Sequence, residues 1–211
     1  MNFLAVGIEV LALIIALIYY RRYKHTTLKW VLPFLTFICT EELLGFIFRD
    51  ILKKPNTPVF AISIPIEFCF YTFLFYHFLK SSILKRILLI SWLFMIIYDV
   101  SANIRYFPQI FDFNMLLFGN LLMLLACCFY FWELFTQENE AELFNIPIFW
   151  IAAGVFLFNL GEISYNFLGN ELIKKYDNYS LFLRSFESIL CLILYSLIIK
   201  ALLTSQRKLA K

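Results

Sequence analysis

NLLMLLACCFYFW, residues 120–132, decides how this chain folds. It sits inside an apolar run over 114–135, and apolar and polar residues do not alternate along it. A membrane β-strand needs such alternation, because one face meets lipid and the other a lumen. A helix does not, and it satisfies its own backbone where water is absent. About 20 apolar residues in helical form span a bilayer core. Six further runs have this character, at about 3–20, 28–48, 58–79, 86–104, 146–168 and 180–203. The connections between them, such as KKPNTP (53–58) and TQENEAE (136–142), are short and polar. The expected fold class is therefore an all-α membrane protein of seven transmembrane helices, with residues 1–211 forming a single transmembrane domain.

Composition agrees. Hydrophobic residues make up 62% of the 211 positions and charged residues 16%, and Phe alone occurs 26 times. Soluble domains sit nearer half apolar and about 25% charged, so the excess needs lipid as its solvent. A net charge of +3, spread over loops, supplies no basic patch and excludes nucleic acid as a partner. Cys39, Cys69, Cys127, Cys128 and Cys191 all lie in apolar runs and form no C-x-x-C pair, so they read as small apolar residues.

The first run is expected to be a retained helix. Its start, MNF, carries no Lys or Arg, and Tyr19, Tyr20, Arg21 and Arg22 follow where a signal peptide would place small residues. Loop charges then orient the chain. Lys and Arg number eleven on the side holding Arg21, Arg22, Lys24, Lys29, Lys80, Lys85, Arg86 and the tail, against seven on the other. The N-terminus is expected outside and the C-terminus in the cytoplasm, in a plasma or inner cell membrane.

Glu42 and Glu67 are 25 residues apart, as are Glu162 and Glu187, and a shift of 120 relates the two pairs. The same shift maps Trp30 onto Trp150 and Lys54 onto Lys174, and it maps the second and third helices onto the sixth and seventh. This admits a 3+1+3 plan of parallel halves around a linker helix, a layout that transporters use. The plan resembles the architecture of the SWEET and PQ-loop sugar and amino-acid carriers. Those families carry a Pro-Gln pair in a helix of each half. Here Pro108-Gln109 is the single instance and falls in a connection, so the resemblance stops at architecture.

Ionisable groups inside spans cost at least about 2.5–3.5 kcal/mol and mark function. Glu9, Glu41, Glu42, Glu67, Asp99, Glu162 and Glu187 all fall within apolar runs, in the halves assigned to the outside. Asn103, Asn120 and Asn166 accompany them, and Arg49, Arg105 and Arg184 stand near the outer rim. Arg184 and Glu187 are three apart, and Glu42 and Arg49 seven apart, spacings that share a helix face. The expected ligand- or ion-binding set is Glu42, Glu67, Asp99, Asn103, Asn120, Glu162, Asn166, Arg184 and Glu187, lining an outward-facing acidic cavity. Close carboxylates repel one another and proton binding relieves that repulsion, which suits proton coupling or pH sensing. Glue between helices is the plainer role for any single Glu–Arg or Glu–Tyr pair.

The leading reading is a carrier of a small polar or cationic solute, cation- or proton-coupled. The alternative is a ligand- or pH-sensing seven-helix receptor module that signals through a separate cytoplasmic or membrane protein. An enzyme is disfavoured. His25 and His77 are too few for the three-histidine zinc centre of seven-helix hydrolases, and no Ser/His/Asp or Cys/His set stands out. A retinal-binding Lys in the middle of the seventh helix is missing, since Lys200 lies near its end. The sequence calls for no catalytic residue, no metal and no cofactor.

Overall fold

The computed structural model of the chain describes residues 3–106, 113–137, 140–175 and 179–205. These residues form seven long helices: α1 (Phe3–Tyr23), α2 (Val31–Phe46), α3 (Thr57–Phe78), α4 (Ser82–Tyr106), α5 (Phe113–Gln137), α6 (Pro147–Lys175) and α7 (Tyr179–Thr204). Short 3₁₀ turns at Thr27–Trp30 and Glu140–Asn145 precede α2 and α6, and a π-helical turn, Ile47–Ile51, ends α2.

Among the described residues, six segments are long and apolar enough to cross a membrane: Leu4–Tyr23, Thr27–Ile51, Thr57–Phe78, Asn114–Thr136, Pro147–Asn166 and Ser185–Thr204. The chain is accordingly an all-helical, multi-pass membrane protein, with the lipid bilayer as its solvent. Helix α4 forms where the sequence places its fourth helix, and its described residues, which include Lys85, Arg86 and Asp99, are not among the six. It is the least apolar of the seven. Lys85 and Arg86 near its start, with Asp99, Asn103 and Arg105 toward its end, account for that. Even so, α4 exposes an apolar stripe of Ile83, Ile87, Ile90, Phe94 and Ile97. The spacing of four and three keeps the stripe on one face.

The chain divides into two compact units. The first holds residues 1–32 and 138–211. Within it, α7 packs against both α6 and α1. The α6–α7 contact is close because α6 offers glycines to α7. A Cβ at Gly161 would overlap the Leu190 side chain, and one at Gly154 would press on Leu194 and Leu197. Lipid supplies no hydrophobic drive between helices, so close backbone approach and dispersion must hold them.

The second unit holds residues 33–137. Here α3, α4 and α5 pack against one another. Gly119 of α5 admits the Phe68 ring, which a Cβ would overlap. Two further ties involve polar groups. The Glu133 carboxylate of α5 accepts the backbone N–H of Lys80 and of Ser81, each at 2.6 Å, at the turn that opens α4. These are orphan donors that the helix start cannot satisfy itself. The Trp92 indole N–H of α4 meets the Cys69 sulfur of α3 at 3.3 Å. Helix α2 reaches α3 through rings: Phe34 stacks on Phe70 at 3.8 Å between centroids and meets Tyr71 edge-on at 5.1 Å. The candidate site lies farther along the same two helices.

Candidate functional site

The buried stripe of α2 runs Phe34, Ile38, Glu41 and Gly45. Steps of four and three keep these positions on one face. Glu41 therefore occupies a position at which its neighbours on the stripe are apolar, and only 6% of it is exposed. Glu42, one residue on, turns about 100° away around the helix and is half-buried.

From α3, Ser63 and Glu67 sit one turn apart on a common face. Ser63 is buried. Ser63 and Glu67 are the α3 side chains that interact with the Glu41 carboxyl. Two carboxyls bond to each other only when one carries a proton, since a carboxylate is acceptor-only. The second Glu41 oxygen, Oε2, is buried and has no hydrogen-bond partner. Pro65 stands between Ser63 and Glu67 and removes one N–H from the ladder of α3 there.

Beside this pair is a cavity of about 300 Å³ lined by Phe37, Thr40, Glu41, Leu44, Phe48, Pro58, Val59, Ile62 and Ser63. It lies wholly within the second unit. One wall belongs to the π-helical turn, through Phe48. Irregular backbone at membrane depth is tolerated where it lines a cavity, and π-turns recur at functional sites. This turn closes with the Leu52 N–H on the Ile47 carbonyl and the Lys54 N–H on the Phe48 carbonyl, both at 2.9 Å, with Lys53 in the left-handed region at φ 53°.

The turn also changes one expected pairing. A seven-residue spacing puts Glu42 and Arg49 on one face of a regular α-helix, and the π-turn breaks that register. Arg49 instead pairs with its neighbour Asp50, at 2.9 Å from Nη2 and 3.0 Å from Nε. Glu42 still feels the Arg49 charge.

The remaining expected residues divide between the units. In the second, Asn120 is fully buried on α5, and Asp99 on α4 is half-buried and acts electrostatically on Cys69. In the first, Glu9 is buried, Glu162 and Asn166 are half-buried on α6, and Glu187 on α7 is exposed. The Asn166 Nδ2 is buried without a hydrogen-bond partner. The side chains of Asn103, of Arg184 and of the acidic stretch at 138–142 lie outside the described residues. So the structure brings Glu67 into a shared site with two residues outside the expected set, Glu41 and Ser63. Periodicity could have singled out Glu41, because it continues the Phe34–Ile38–Gly45 stripe and Glu42 does not.

Among the described residues, no three His, Cys, Asp or Glu side chains are arranged to hold a metal ion. No family model matches the chain, and no curated protein or solved structure is significantly similar to it.

Proposed function

We propose that this protein is a cation- or proton-coupled carrier of a small polar or cationic solute, working as one membrane domain with α4 as its seventh crossing. The observation that carries this reading is Glu41, a buried acid that lines a cavity between two candidate spans together with Ser63 and interacts with Glu67. Intramembrane carboxyls are costly, and a pair that shares a proton can exchange it for another cation. The exposed apolar stripe of α4 supports the seventh crossing.

An N-out, C-in orientation is supported by the excess of Lys and Arg on the side of Arg21, Lys80 and the tail, where described basic and aromatic side chains also meet. Arg22 lies over the Tyr19 ring, Lys29 over Trp30, Lys85 over Tyr76 and Lys200 over Trp150, at 5.0–5.5 Å. All four pairs occupy helix ends that loop charge assigns to the cytoplasm, and aromatic rings with Lys or Arg are the usual interfacial anchors.

The test is flux. Purified protein in liposomes, under a valinomycin-clamped potassium gradient, is expected to admit protons, read by an entrapped pH dye. Changing both Glu41 and Glu67 to Gln should slow that flux at least tenfold. Wild-type flux no greater than in protein-free liposomes, or undiminished flux in the double variant, overturns the carrier reading.

A further inference from the structure

The cavity between α2 and α3 presents carbon to whatever enters it. Its surface is almost entirely apolar, although Thr40, Glu41 and Ser63 are among its lining residues. The Thr40 hydroxyl donates to the Thr36 carbonyl at 2.8 Å and the Ser63 hydroxyl to that of Phe60 at 3.5 Å, while Glu41 Oε2 is buried. The lining runs from Phe37 to Phe48, roughly 16 Å along α2 and its closing turn at a rise of about 1.5 Å per residue. A volume of about 300 Å³ is at the small end of ligand pockets. Leu44 and Ile62 line the cavity and are also exposed, so it opens sideways, toward lipid.

One end of this apolar space is basic. The Phe48 carbonyl accepts the Lys54 N–H at 2.9 Å, which fixes Lys53 and Lys54 beside that end. Both lysines are exposed, and both fall between Ile51 and Thr57, where one candidate span ends and the next begins. That is the level of lipid headgroups. From Leu43 to Ile66 the charged residues are Arg49, Asp50, Lys53 and Lys54. Asp50, the single acid among them, is paired with Arg49 at 2.9 Å, so the two lysines are the surplus positive charge.

We propose that the cavity is a binding site for one anionic phospholipid, with an acyl chain along the α2–α3 slot and the phosphate at Lys53 and Lys54. The chain leaves one apolar solvent for another, so no hydrophobic drive favours its entry. It gains contacts with wall atoms that face a void when the slot is empty. The lysines add attraction for a negative headgroup. A polar solute finds no polar surface in the slot, and an apolar one without an anionic head leaves the lysines unused. The proposal goes beyond the carrier reading and does not rest on it.

The test is native mass spectrometry of the full chain released from detergent micelles, titrated with phosphatidylglycerol, phosphatidylcholine or glycerol phosphate. One phosphatidylglycerol per chain is expected at saturation, bound about tenfold more tightly than phosphatidylcholine, the order that two lysines near a headgroup supply. Glycerol phosphate, which has the head without the chain, should not bind. Changing Lys53 and Lys54 together to Gln should bring phosphatidylglycerol down to the affinity of phosphatidylcholine. Both positions are exposed, so this variant keeps its packing. Val59→Phe, which fills the slot, should weaken both lipids by about tenfold through lost chain contacts, with a melting temperature no lower than wild type. Equal affinity for the two lipids, wild-type phosphatidylglycerol affinity in the lysine variant, binding of glycerol phosphate alone, or a lipid-free dimer of the chain overturns the proposal. Lipid binding without proton flux removes the carrier and leaves this site, whereas proton flux without selective lipid binding does the reverse.

Discussion

Helices α6 and α7 close on each other, whereas α2 and α3 stand apart. In the first pair Gly154 and Gly161 let the helices meet at van der Waals distance, with Leu190 filling the place of a missing side chain. In the second, Phe34, Phe70 and Tyr71 act as spacers, and the gap beyond them is the cavity with Glu41 in its wall. A shift of 120 residues relates the two pairs in sequence and places an acid on each helix. The pairs nevertheless pack in opposite ways. In lipid the size of the contact residue sets the interhelical gap, so a few positions decide whether an intramembrane acid faces a neighbour, a cavity or the outside. Glu187, exposed on α7, and Glu41, buried on α2, show the contrast.

The contrast can be broken from the open side first. Phe34→Ala removes the spacer ring and should cost about 3 kcal/mol, the low end for Phe→Ala, because lipid weakens the transfer contribution. Thermal unfolding in detergent should register the loss. A change below about 0.5 kcal/mol would mean that the Phe34 stack does not hold α2 to α3.

From the closed side, Gly161→Val forces a side chain into the space of Leu190. Overpacking of this kind costs about 2 kcal/mol, read in the same melt. The companion change Leu190→Ala in the Gly161→Val background should restore part of that loss, and failure to do so would show that the two do not meet.

The smallest expected effect has the opposite sign. Glu41→Leu exchanges a buried carboxyl with an unpartnered oxygen for an apolar side chain, which should stabilise the protein by about 1 kcal/mol while abolishing the flux that Glu41 supports. Residues kept for function are often those that stability would replace. A destabilised Glu41→Leu protein would instead make Glu41 a structural tie between α2 and α3.

Much of the fold was legible because helix formation in lipid is a local matter. An apolar run of sufficient length must close its own backbone hydrogen bonds, and the seven runs became seven helices, most with ends within a few residues of those expected and α6 running on to Lys175. The polar residues of the fourth run cluster toward its ends, and its exposed apolar stripe is visible only once its buried face is known. Of the residues that line the α2–α3 cavity, Glu41 is visible in the sequence as one of several acids inside apolar runs, whereas Ser63 carries no signal beyond lying one turn from Glu67.

By itself the sequence determined the solvent, the helices and the presence of acids inside spans, because those depend on the chemistry of contiguous residues. Only the tertiary structure decided which of two adjacent glutamates is enclosed. Rotation of a helix about its axis is set by the partners it packs against, and one residue is worth about 100° of that rotation. It also decided that Arg49 goes to Asp50, through a π-turn that the spacing of apolar residues does not announce, and that aromatic spacers leave room beside Glu41 where glycines leave none beside Leu190.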